Sequence, residues 1–146
     1  MRRPLIASIV IAFALVTLEA KPAEAVTLRL GLAANYWLTA KEGVFNIDVA
    51  VTVPVASFLS VGGRFGGALI TGEPTFAVPV DLLVHIPIER LYIEGMGGPW
   101  IFFKGDVVRA HVAVGFGLAA GPVTFGIEVG YLDPWGIVGA RFGYRF

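Results

Sequence analysis

The residues of this chain that could do chemistry are charged side chains that recur at alternate positions within apolar stretches. Arg64, for example, shares its parity with Gly62 and Gly66, whereas Val61 and Phe65 occupy the other parity. A period of two places such residues together on one face of a β-strand. Ten candidates share the small-residue face: Arg29, Asp48, Arg64, Asp81, Glu94, Arg109, His111, Glu128, Arg141 and Arg145. Because charges away from water are stable only when paired, this set predicts an ion-pair network.

Acid–base chemistry centres on His111, which could act as a general base beside Glu94 or Glu128. Hydrolysis by a triad would also need a nucleophile, and beyond residue 25 the only serines, Ser57 and Ser60, lie near a turn far from His111. The sequence therefore favours His111 as a hydrogen-bonding member of the network over a catalytic role. His85 has still less support as a catalytic residue.

Metal and cofactor chemistry has little support in the sequence. Two histidines on different strands do not make a convincing metal site, and the chain contains no cysteine. Phosphate-binding loops, dinucleotide fingerprints and zinc motifs are absent. The formal net charge is zero, which gives no reason to expect nucleic acid as a partner. We therefore predict no enzyme activity, no cofactor and no metal.

The elements that must position the charged face are short apolar alternations separated by Gly, Pro, Asp and Thr. These alternations predict eight strands near residues 26–37, 44–53, 58–70, 75–86, 89–97, 106–119, 123–132 and 135–146. Connections this short predict antiparallel neighbours. Pro79 inside the fourth strand predicts a bulge. The fifth strand is rich in glycine and is expected to be short, with residues 98–105 as the longest connection.

Side-chain size decides which face lies inside the closed sheet. The apolar face carries large Leu, Val, Ile and Phe residues, and an eight-stranded barrel has too narrow a bore to hold them all. The other face is mostly Gly, Ala, Ser and Thr and is too poor in charge for a water-exposed surface. Strands of about ten residues also suit a bilayer. The sequence thus predicts an all-β, eight-stranded antiparallel up-and-down transmembrane β-barrel, with the charged network plugging its lumen.

The amino-terminal segment has the pattern of a cleavable export signal. Arg2 and Arg3 precede an apolar run at residues 5–18, and Ala23-Glu24-Ala25 supplies a small-residue cleavage site. The run is too short for a membrane-spanning helix. We therefore predict a signal peptide at residues 1–25 and one barrel domain at residues 26–146.

Aromatic residues near the predicted strand ends form a second group of candidates. Those expected at the outer rim are Tyr36, Trp37, Trp100, Phe102, Phe103 and Trp135. Such residues are typical of the aromatic girdle at a membrane interface. The alternative is a patch that grips lipopolysaccharide or another protein.

The last predicted strand carries aromatic residues at alternate positions, Phe142, Tyr144 and Phe146. This pattern resembles the closing strand of bacterial outer-membrane barrels, and the predicted barrel resembles the OmpA and OmpX type. The resemblance implies an integral location in the outer membrane of a Gram-negative cell, contact with lipopolysaccharide and recognition by the barrel-assembly machinery. It departs from the OmpA type in having no periplasmic domain after the barrel, and from the OmpX type in its short loops.

Three functions are compatible with this sequence. The leading hypothesis is a non-enzymatic outer-membrane barrel with a plugged lumen and a structural or interaction role, whose protein partner is unknown. The second is a narrow, porin-like pore for small solutes or ions. The third is a lipid-A-modifying enzyme, against which the lack of a well-placed serine counts.

Overall fold

The barrel consists of eight strands in chain order, and the computed structural model describes residues 26–146. The predicted signal peptide lies outside these residues. The strands are β1 Thr27–Trp37, β2 Glu42–Ala56, β3 Leu59–Ile70, β4 Thr75–Ile88, β5 Leu91–Phe102, β6 Val108–Ala120, β7 Val123–Leu132 and β8 Trp135–Arg145. Each pairs antiparallel with its neighbours, and β1 pairs with β8 to close the barrel. The predicted fold class is confirmed.

The two faces of the sheet follow the sequence alternation. On the outside, large apolar side chains such as Ile47, Phe65 and Leu82 are 52%, 57% and 69% exposed. The inward positions between them, including Asp48, Arg64 and Asp81, are buried. Residues 26–146 contain no helix long and apolar enough to cross a membrane.

The barrel has two different ends. At one, which we call the loop end, the chain passes through residues 38–41, 71–74, 103–107 and 133–134; at the other, the turn end, it passes through residues 57–58, 89–90 and 121–122. Gly72 and Gly121 have φ values of +90° and +58°, the left-handed region that glycine enters without strain. Both glycines lie in gaps between the predicted strands, as expected of turn residues.

The predicted length of strand β5 and the predicted bulge at Pro79 were both wrong. Strand β5 is longer than expected and runs through Gly98 and Pro99 to Phe102, so the connection is only residues 103–107. Gly98 faces inward, where an added Cβ would collide with the backbone of Val80 on β4. The residue is therefore glycine because of this close strand approach and does not mark a loop.

The second correction concerns Pro79. The β3–β4 register is the same on both sides of this proline, and the ladder only skips from Phe65–Val80 to Ala68–Ala77. Proline has no backbone N–H to donate, and Pro79 lies where the β3–β4 ladder is locally interrupted. The register of the two strands is unchanged. The β-bulge lies instead in β2, between Pro54 and Ala56 near the turn end.

Candidate functional site: the charged lumen and its two ends

Arg64 is the centre of the charged interior. Its side chain is fully buried, and its Nε and Nη2 donate hydrogen bonds of 3.0 and 2.5 Å to Oδ2 of Asp81 on the neighbouring strand. Its Nη1 lies 3.8 Å from Asp48 Oδ2 and 3.7 Å from Glu128 Oε2. Strands β2, β3, β4 and β7 are therefore joined through one guanidinium group.

Glu94 is a second centre, nearer the turn end. It pairs with Arg29 across the lumen, and Arg141 Nη1 donates to its Oε2 at 3.0 Å. Nδ1 of His85 lies 2.9 Å from Oε1 of the same carboxylate. A single buried carboxylate thus contacts basic groups on β1, β4 and β8.

Arg141 and Glu128 connect the two centres, because Nε of Arg141 lies 3.2 Å from Oε2 of Glu128. His111 bridges Asp81 and Glu128, with Nδ1 at 2.8 Å from Asp81 Oδ1 and Nε2 at 3.5 Å from Glu128 Oε1. We call the connected set the lumen network. Its members are Arg29, Asp48, Arg64, Asp81, His85, Glu94, His111, Glu128 and Arg141.

The lumen network contains three guanidinium groups and four carboxylates. Both ring nitrogens of His111 face carboxylate oxygens, an arrangement in which only the imidazolium can donate from each. A charge on His111 would balance the fourth carboxylate. Each charged side chain of the network lies near an opposite charge, which offsets the high cost of burying a charge in the low-dielectric interior.

Two predicted members lie apart from the network in the described part of the chain. Arg109 is at the loop end, where its Nη1 donates to the carbonyl oxygen of Asp133 at 2.9 Å. Arg145 is at the turn end and donates to the carbonyl oxygen of Gly121 at 2.6 Å. Each is inward in parity but too close to a strand end to reach mid-barrel. His85 was not among the predicted members, but it belongs to the network through its contact with Glu94.

Above the network, toward the loop end, apolar side chains fill the bore. We call this set the apolar layer; it comprises Trp37, Val44, Ala68, Ile70, Ala77, Trp100, Phe102, Leu132 and Ile137. Trp100 joins the two regions, since its ring lies 4.9 Å from that of His111 and its indole points at Asp81 Oδ2, 3.4 Å away.

The predicted outer aromatic rim was wrong for half of its members. Trp37, Trp100 and Phe102 point into the lumen and are buried, whereas Tyr36, Phe103 and Trp135 are exposed. Trp37 has the inward parity of Arg29 and Ala33, so simple alternation would have placed it correctly. At the other end of the chain, Phe142, Tyr144 and Phe146 lie exposed on the outer face, as predicted from their alternation.

Each end of the barrel has a cavity. The loop vestibule has a volume of about 750 Å³ and is lined by residues from all four connections at that end. The turn pocket is smaller, about 150 Å³, and is lined by Arg29, Ser60, His85, Glu94 and Arg145 among others. The lumen network and the apolar layer lie between the two cavities.

Solved structures of the same shape identify the architecture. A designed transmembrane β-barrel matches with a TM-score of 0.66 at 14% sequence identity, over 88% of this chain and 99% of that chain. The N-terminal β-barrel domain of Pseudomonas aeruginosa OprF matches with a TM-score of 0.60 at 9% identity, over 82% and 97%. The chain has the fold of the small eight-stranded transmembrane β-barrels. The predicted resemblance to the OmpA and OmpX type is confirmed at the level of fold.

A third structure of this barrel type, the Yersinia pestis outer membrane protein Ail, matches with a TM-score of 0.50 at 17% identity, over 83% of this chain and 98% of that chain. Neither a family model nor a curated protein matches the sequence. The comparisons therefore establish the barrel fold.

Within this transmembrane barrel fold, the groups closest to a hydrolytic triad lie in the turn pocket. Ser60 on β3 is directly opposite His85 on β4, and His85 contacts Glu94. His111 is paired with two carboxylates instead, away from both described serines. Among residues 26–146, no group of three or more His, Asp, Glu or Cys side chains is arranged to hold a metal ion.

Proposed function

We propose that this chain is an integral protein of the bacterial outer membrane, exported through a cleaved signal peptide. Support comes from the closed ladder of residues 26–146, which leaves no unpaired strand edge in this region for hydrocarbon, and from the large apolar side chains exposed around the barrel. The loop end then faces the outside and the turn end faces the periplasm. Detergent-folded protein should migrate differently on a gel before and after boiling, and protein that stays monodisperse without surfactant would contradict the proposal.

We propose further that the barrel is non-enzymatic and that its lumen is closed, which leaves a structural or interaction role. The closed lumen rests on one observation. The lumen network and the apolar layer lie in series, so a solute would have to pass ion pairs that join opposite strands and then a layer containing three large aromatic side chains. Charges can be hydrated, but the apolar layer offers an ion no ligands.

Single-channel recording in planar bilayers tests the closed lumen. We expect no steady openings from the wild-type barrel. The alternative, a narrow pore, draws on the cavities at both ends. It predicts steady wild-type openings whose amplitude changes in Asp81→Asn but not in Leu82→Ala, the adjacent outward residue. That pattern would overturn the closed lumen.

The proposed partners follow from the same location. Outer-membrane lipid and lipopolysaccharide would cover the outer face, and the barrel-assembly machinery would recognise the outward aromatics Phe142, Tyr144 and Phe146 on and beside β8. Replacing Phe142 and Tyr144 with Ala should slow insertion in cells while leaving refolding into detergent intact. Equal loss in both settings would point to a stability effect instead of recognition.

A further inference from the structure

The loop vestibule has the dimensions and lining of a small-molecule site. Its volume of about 750 Å³ lies within the ~300–1,000 Å³ usual for ligand pockets, which occur preferentially at sites such as the mouths of β-barrels. Its floor is aromatic and aliphatic, formed by Trp37, Phe102 and Ile70, and Trp135 contributes a wall. Trp37 is fixed by a 2.9 Å hydrogen bond from its indole nitrogen to the carbonyl oxygen of Leu132. The floor is therefore apolar, and the ring of Trp37 within it is held in one orientation.

Arg109 provides a positioned cation over this floor. Its guanidinium carbon lies 5.3 Å from the ring centre of Trp37 and 5.1 Å from that of Phe102, within the range of cation–π interaction. The bond from Nη1 to Asp133 holds its orientation.

Most hydrogen-bonding capacity of Arg109 is unused. Arginine has five N–H donors, and here Nε is buried without an acceptor among residues 26–146. The ion-pair partner of Nη2 in this part of the chain is Asp106, at 3.8 Å, and the Asp106 side chain is 84% exposed. A carboxylate is the acceptor that matches guanidinium geometry best, so Nη2 is poised for one.

We propose that the loop vestibule binds a small monocarboxylate with an aromatic or large apolar body. The body would pack against the exposed ring of Trp135, beside the guanidinium that covers the floor, and the carboxylate would replace Asp106 at Arg109. The other charged lining residues limit the ligand to one negative charge. Glu73 is engaged by Lys104 at 3.1 Å, while Glu42 and Asp106 would repel a polyanion.

Indole N–H resonances of the ¹⁵N-labelled, detergent-folded protein test this site, because the chain has three tryptophans and all lie toward the loop end. The probe is 3-phenylpropionate. We expect saturable shifts of Trp37 and Trp135, with the smallest shift at Trp100, which lies beneath the floor with 0% exposure. Arg109→Gln should weaken binding about tenfold or more, a ratio equivalent to ~1.4 kcal/mol.

Two further variants give opposite or null effects. Asp106→Asn removes the competing carboxylate from an exposed position and should tighten binding at least twofold. Arg145→Gln, at the turn end, should leave it unchanged. If the shifts of all three indoles grow linearly with probe concentration and do not saturate, the probe is partitioning into the micelle and the proposed site is wrong. Equal indole shifts with 2-phenylethylamine, which has the same body and the opposite charge, would also contradict it.

Discussion

Replacing Arg64 with Met is the most direct test of the lumen network. The substitution keeps much of the apolar stem but removes the charge that contacts Asp81 at 2.5 Å, Glu128 at 3.7 Å and Asp48 at 3.8 Å. At an effective dielectric constant of about 20, unit charges about 4 Å apart attract by ~4 kcal/mol. Removing one partner of a buried ion pair costs about 3–5 kcal/mol, because the remaining charge stays buried. We expect a loss of unfolding free energy in that range.

Reversible urea unfolding in detergent or lipid, followed by tryptophan fluorescence, measures this loss. Arg145→Met is the matched control, since it removes an arginine whose hydrogen bond goes to a backbone carbonyl at the exposed turn end, and it should cost about 1 kcal/mol. The double variant Arg64→Met/Asp81→Asn removes one of the stranded negative charges and should be more stable than Arg64→Met alone. If the two single variants differ by less than about 1 kcal/mol, the network contributes little and the reasoning fails.

Two further matched pairs test the faces of the sheet. Gly66→Ala should destabilise the barrel by about 1–3 kcal/mol, because its Cβ would overlap the carbonyl oxygen of Ile47. Gly67→Ala, whose added Cβ would point into open space, should be neutral or stabilising by up to about 1 kcal/mol. Equal effects of the two substitutions in urea unfolding would contradict the close approach of the β2 backbone to Gly66. Leu82→Arg on the outer face near mid-strand should cost about 2–4 kcal/mol in a bilayer, whereas Leu118→Arg near the end of its strand should cost about 1 kcal/mol or less. Similar costs for the two arginines would argue against a membrane centred on Leu82.

The strand count and the two faces were predictable because alternation is a local signal. Asp48, Arg64 and Asp81 lie in strands whose outward residues are mostly apolar, and parity alone placed all three inside. The partners of each charge were harder to predict. They depend on the stagger between strands, which single-strand patterns do not contain. Arg29 and Glu94, for example, are 65 residues apart and meet only after the barrel closes.

The wrong predictions came from interpreting residue type alone and not the alternation of the strand. Gly98 and Pro99 were interpreted as a loop, yet glycine is needed in β5 because the neighbouring backbone is so close. Trp37 and Trp100 were assigned to a girdle by residue type, although their parity is that of inward residues. Extending the alternation to the last residue of each strand would have predicted the apolar layer.

The pairing of Arg29 with Glu94 has a mechanical consequence. Backbone hydrogen bonds connect each strand only to its two neighbours, so by themselves they resist stretching around the circumference but allow the circular cross-section to flatten into an ellipse. Arg29 lies on β1 and Glu94 on β5, four strands away in either direction around the ring. Such a diametrical strut holds the barrel round when lateral pressure in the bilayer would otherwise squeeze it.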